Sequence, residues 1–185
     1  MKKRVTAVVL VVILAAIFTA GYLRINRKYP APSVERIKAG QEAEYQDGVF
    51  LTVTGWEILS EEERKALYEK IGEEPFEGAE LRKVSVTLEN RTDETTMCDL
   101  TSLNLETFGN SASINSLLGS AAMGELWTAM PELKPGQKLE TAYLFEILEY
   151  KFTDRQWEEI DSREFWMTFS SYPVKTILEL QKTGG

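Results

Sequence analysis

Nineteen consecutive residues without a charge, 5–23 (VTAVVLVVILAAIFTAGYL), constrain this chain more than any other feature of it. A helix rises about 1.5 Å per residue, so the run just spans a hydrocarbon core of roughly 30 Å. Tyr22 and Tyr29 stand where interfacial aromatics belong, and Arg24, Arg27 and Lys28 stop the insertion. The reading is a transmembrane anchor over 5–23, with a cytoplasmic tail of residues 1–4 and a juxtamembrane spacer over 24–39. Pro30 and Pro32 keep that spacer extended.

A basic start and an apolar centre also describe a cleaved signal peptide. Cleavage wants small residues at −1 and −3. Cutting after Ala20 puts Phe18 at −3, and cutting after Gly21 puts Thr19 there, so a retained anchor fits better. No cysteine follows the run to carry a lipid. Lys2, Lys3, Arg4 and the α-amine outweigh the three bases after the run by a small margin. The expected orientation is therefore single-pass, with the C-terminal domain extracytoplasmic.

Charge divides the chain as sharply as hydropathy does. Residues 1–28 hold six bases and no acid, whereas residues 29–185 carry 15 bases against 29 acids, or −14. Such a domain repels phosphate backbones and anionic headgroups, so no nucleic-acid partner is expected. The sequence has no histidine, which removes Ser-His and Cys-His nucleophile pairs and imidazole metal ligands. Cys98 is the only cysteine, so no intrachain disulfide or cysteine zinc site can form. Its thiol is either a small buried hydrophobe or a link between chains.

Beyond the spacer the pattern is mainly β. Val49, Leu51 and Val53 share one face of a strand, with Phe50, Thr52, Thr54 and Trp56 on the other. Val84, Val86 and Leu88 point inward between outward Lys83, Ser85, Thr87 and Glu89. Leu103 and Leu105 mark a further strand or strand pair, and 126–130 a short one. Lys134-Pro135-Gly136-Gln137 has the signature of a type II turn. Leu139, Tyr143, Phe145 and Ile147 line the strand behind it, and Phe165, Met167 and Phe169 alternate near the end. Two helices interrupt the strands, each opened by a capping box: Ser60 with Glu63, and Thr153 with Gln156. Ala66, Leu67 and Ile71 form the buried stripe of the first; Trp157 and Ile160 are buried by the second. Segment 110–124 (NSASINSLLGSAAMG) is uncharged and without a clean period, and reads as a long loop.

The ordered set G-x-x-L-x-V-x-G (48–55), V-x-V-T-L-E-N-R-T-D (84–93) and L-x-P-G-Q (133–137) behind a membrane anchor resembles a known group. These are the immunoglobulin-like domains of unknown function on small membrane-anchored proteins and lipoproteins of Gram-positive bacteria. W-x-x-I (157–160) and S-Y-P-x-K (171–175) are similar to one subfamily, and the likeness covers roughly residues 40–182. The resemblance implies an immunoglobulin-like antiparallel β-sandwich with two short helical inserts, extracytoplasmic, and with no activity to carry over. The helix near 61–71 has no place in the general pattern.

Each candidate site has a plainer explanation. Glu61, Glu62 and Glu63 suit a helix N-terminus, and Glu73, Glu74, Glu77 and Glu80 a solvated connector, rather than a calcium loop. Asp93, Glu94 and Asp99 cluster near a turn. A carboxylate pair for glycoside hydrolysis needs a cleft that no motif announces. Asn90-Arg91-Thr92 spells a glycosylation acceptor but is sufficiently explained as a turn. Trp127, Trp157, Trp166 and Tyr172 form a binding platform only if exposed, and core packing is the simpler reading. Segment 110–124 remains the candidate, since loops on rigid scaffolds carry binding.

The expectation is a non-enzymatic, membrane-anchored extracytoplasmic binding module with a protein or cell-envelope partner. No catalytic, cofactor or metal residues are assigned. The alternative is an accessory or sensor subunit of a membrane complex that acts through its anchor helix.

Overall fold

The computed structural model describes residues 2–180, so the expected end of the domain at 182 lies outside the described residues. The chain divides into two compact units, Met1–Ser33 and Val34–Gly185. The first is dominated by one helix, α1 (Lys2–Lys28). It runs five residues past the apolar run, because Arg27 and Lys28 in its last turn favour the negative end of the helix dipole. Within it Val9–Lys28 is long and apolar enough to cross a membrane, a length and composition that an anchor and a signal sequence share.

The second unit is a β-sandwich. In chain order its elements are β1 (Ser33–Ile37), β2 (Glu42–Gln46), β3 (Val49–Ile58), α2 (Glu61–Ile71) and β4 (Ala79–Asn90). There follow β5 (Thr96–Met97), β6 (Asn104–Thr107), β7 (Asn110–Ser113), α3 (Ser116–Met123) and β8 (Glu132–Leu133). The chain ends with β9 (Lys138–Leu148), α4 (Asp154–Glu158), β10 (Trp166–Ser170) and β11 (Val174–Glu179). One sheet has the order β1-β11-β10-β6-β7, the other β2-β3-β4-β9, and β5 pairs with β8 apart from both. The pairings β2–β3, β3–β4, β4–β9, β6–β7, β6–β10 and β10–β11 are all antiparallel.

Period-two alternation explains the main core. Val84, Val86 and Leu88 of β4 face Met167 and Leu178 of the opposite sheet, with Tyr143 and Phe145 of β9 alongside. Cys98 is buried in this core and free, and burial pushes its thiol up to about 11. An exposed thiol is thereby ruled out.

Four sequence readings are corrected. Ala66 is exposed and Ile71 half-buried, and the buried residues of α2 are Leu67 and Tyr68. Trp56 packs on the core, not on the outer face, because a bulge between Val53 and Gly55 inserts Thr54 and reverses the alternation. Residues 126–130 are turn and bend, and the short strand lies instead at Glu132–Leu133. Segment 110–124 is no loop: it folds as β7 and then α3, with Asn115 accepting from the Leu118 amide as N-cap. The sandwich thus carries a third helix beside the two expected.

A second, smaller core lies on the outer face of the β2-β3-β4-β9 sheet. There Leu67 and Tyr68 of α2 and Leu118 of α3 cover Leu81 of β4 and Leu144 of β9. Both faces of the sheet are consequently buried at this level, which is why Leu81 and Arg82, neighbours on opposite faces, are each 0 % exposed.

Candidate binding groove

α2 is fixed by complementary end chemistry. Ser60 and Glu63 close the capping box, and Gly72 ends the helix in the left-handed conformation at φ 74°. The cap hydroxyl and amide hold the Glu63 carboxyl below its usual range. Tyr68 donates its hydroxyl to Glu146 of β9, and burial, reinforced by that carboxylate, raises its pKa. Lys70 Nζ donates to the Ala121 carbonyl near the C-terminus of α3 at 3.3 Å, joining the two helices.

α3 is held from below by Trp127. Its Nε1 donates to the Ala142 carbonyl at 2.9 Å, and its ring lies against Gly119, where an added Cβ would sit 2.3 Å from Cη2. Only glycine allows that approach.

The helices cover only part of the sheet, and a groove opens where they stop. Its upper stretch, about 310 Å³, has walls of Leu59, Ala66, Leu67, Ala122, Met123 and Leu144. Glu63, Lys70 and Lys83 are its polar members. Its lower stretch, about 330 Å³, lies on the sheet and is lined by Thr54, Ser85, Thr87, Glu140 and Ala142. Both stretches include Lys83 and Met123, which form the waist between them. Lys83 is steered by Glu57 at 2.9 Å. The groove therefore grades from apolar to hydroxyl-lined, with an ammonium at the junction, and each stretch falls in the size range of small-ligand sites.

The residues singled out from sequence do not converge here, except for Glu63 and for 110–124, which contributes Ala122 and Met123. Glu61 pairs with Lys65, and Glu80 with the buried Arg82. Asp99 accepts from the Thr101 hydroxyl and amide, which lower its pKa. No group of three or more potential metal-ligating side chains occurs among the described residues. The carboxylates with shifted pKa, Glu42, Glu61, Glu63, Glu89 and Asp99, are all lowered.

Asn90 is 0 % exposed, its amide donating to the Glu94 and Leu133 carbonyls and accepting from Thr92, so the side chain serves the turn. The aromatic residues are scattered: Trp127 packs on Tyr143, Trp157 on Phe152, and Trp166 donates to Glu106. Tyr172 stands exposed at a hairpin. Sequence reading missed the waist at Lys83 and Met123; the only signal was an apolar Leu81 and Leu144 at outward-facing positions.

None of the curated proteins matches the chain. Among solved structures, an uncharacterised β-sandwich protein from Clostridium difficile 630 is similar over 81 % of this chain and 96 % of its own, at 9 % identity and TM-score 0.45. A conserved hypothetical protein from Bacillus anthracis matches over 70 % and 87 %, at 18 % identity and TM-score 0.47. The yjhA protein from Bacillus subtilis matches over 78 % and 99 %, at 11 % identity and TM-score 0.46. The pattern of one family, the domain of unknown function DUF5028, fits residues 34–176, most of the sandwich and most of the chain. The chain is a member of the DUF5028 family.

Proposed function

We propose that this protein is a non-catalytic binding module held on the outer face of a membrane by α1, with the helix-bounded groove as its ligand-facing surface. The groove carries the reading. Two helices absent from a minimal sandwich are locked to the sheet by Tyr68–Glu146 and by Trp127 beneath Gly119, and to each other by Lys70–Ala121, and together they build one graded cleft. A cleft with one apolar stretch and one hydroxyl-lined stretch offers a ligand both apolar burial and polar orientation. The absence of histidine favours binding over histidine-based acid–base chemistry. Retention of the anchor is supported by the poor cleavage signal, since Phe18 or Thr19 would stand at −3 for a cut after Ala20 or Gly21.

The test is recovery of partners from native-host membranes by the full-length protein and by Met123→Arg, which blocks the waist from a partly exposed position. A protein or envelope fragment recovered by the first and lost by the second supports the groove. Equal recovery by both moves binding elsewhere, and recovery of bulk membrane alone counts against the module having a partner.

A further inference from the structure

A second surface stands out at one end of the sandwich. The connector 72–78 leads into β4, and residues 149–151 leave β9. These two lie side by side, since Ala79 pairs with Leu148 and the Glu149 amide donates to the Gly78 carbonyl at 2.9 Å. The β6–β7 hairpin turns at Phe108-Gly109. Ile114 bridges Phe145 in antiparallel sense, so stepping back along β7 runs alongside β9 towards the same end. Arg163 closes the arrangement: it donates to the Phe108 carbonyl at 2.7 Å and lies 5.7 Å from the Phe152 ring.

Each of the three loops displays one aromatic side chain to solvent. Phe76 is 60 % exposed, Phe108 82 % and Tyr150 76 %. Among the described residues the opposite end has one exposed aromatic, Tyr172. Isolated exposed apolar side chains need no explanation, but three gathered at one end do.

The loops are also held in place. Phe76's carbonyl accepts from the Ala79 amide at 3.3 Å and from Arg64, and the Phe152 amide closes on the Glu149 carbonyl at 2.8 Å. Aromatic side chains on fixed backbone lose little freedom on binding, which suits anchors of an interface. Three aromatics bury on the order of 400 Å², about half of what one partner contributes to a standard protein interface.

Charge selects the partner. Residues 72–78 and 149–163 hold eight acids against three bases. Anionic lipid headgroups and phosphate polymers are repelled by that surround.

We infer that this end docks a protein whose apolar pockets are ringed by lysine and arginine, with Phe76, Phe108 and Tyr150 as its anchors. The inference rests on the reading of the protein as a binding module, but not on the groove.

The test uses the full-length protein in native-host membranes. A benzoylphenylalanine photocrosslinker replaces Phe76, Phe108, Tyr150, Met123 in the groove or Asp93 at the opposite end, one position at a time. The expected result is one protein captured from the three loop positions and not from Asp93. With that protein purified, Phe76→Ala should weaken binding about 30-fold, and added salt should weaken it further. Phe76→Ser/Phe108→Ser/Tyr150→Ser should abolish binding while thermal unfolding stays unchanged.

Capture of lipid or glycan only, of unrelated proteins at each position, or affinity indifferent to the triple substitution would each overturn the inference. Capture from Met123 alone would overturn this face and leave the binding reading standing. No capture from any position would remove both.

Discussion

Arg82 offers the sharpest test of how this sandwich is held together. Its guanidinium is wholly buried, 3.8 Å from the Phe165 ring and 5.3 Å from Trp56. Nη2 donates to Glu80 at 2.9 Å and to the Ile160 carbonyl at 3.4 Å, while Nε and Nη1 have no hydrogen-bond partner. Burial lowers its pKa, with Glu80 acting in the opposite sense. The cation–π contact contributes about 2 kcal/mol when desolvated and the charge-assisted bond about 2 kcal/mol. Two unpartnered donors cost about 1–3 kcal/mol each, which offsets both.

Arg82→Met keeps a straight apolar side chain against Trp56 and Phe165, removes the orphaned donors, and leaves Glu80 to rehydrate. It should change stability by no more than about 1 kcal/mol. Glu80→Ala leaves the buried charge without its counter-ion and should cost about 3 kcal/mol. With a urea dependence near 2 kcal/mol per molar, that moves the unfolding midpoint by about 1.5 M. All four tryptophans lie in the second unit, so their fluorescence reports it in the full-length protein in detergent. A loss in Arg82→Met equal to or larger than that in Glu80→Ala would refute the reasoning.

Three further outcomes follow from the packing. Arg91 bonds Glu42 and Glu89 and holds both carboxyls below their usual range, so their stabilisation is present above the unfolded pKa and is lost as pH falls through the folded one. In Arg91→Gln the fall in melting temperature on acidification below about pH 4.5 should flatten, and an unchanged slope would exclude this clamp as its source. Cys98 should resist thiol reagents at pH 8 in the folded protein and react once urea unfolds it; prompt labelling of native protein would contradict its burial. Gly119→Ala should lower stability by about 1–3 kcal/mol despite alanine's better helix propensity, because the Trp127 ring fills the space. A stabilised variant would show that α3 shifts freely.

The strands were legible where burial is one-sided. Val84, Val86 and Leu88 alternate with polar residues because the outer face there meets water, and the pattern reads directly as a strand. The same strand fails to alternate over 79–84, because α2 and α3 cover its outer face at that level. Trp56 was placed on the wrong side for a local reason: a one-residue bulge leaves no mark in composition yet reverses every later side chain. α3 escaped notice because its contact depends on Gly119 and a distant Trp127, with small residues that give no amphipathic stripe. The groove inherits that difficulty, since its waist pairs a strand lysine with the last residue of an unrecognised helix.

Asn90 has a wider consequence. The turn at Gly48 bonds to the Arg91 amide, the turn at Gly136 to the Asn90 carbonyl, and the Asn90 side chain reaches Glu94 and Leu133. Three turns separated by more than forty residues are thereby lashed into one knot. A change of length in any of them must be accommodated by the other two, so insertions at that end are disfavoured together. Any attempt to graft new sequences onto this scaffold is therefore directed to the far end of the sandwich.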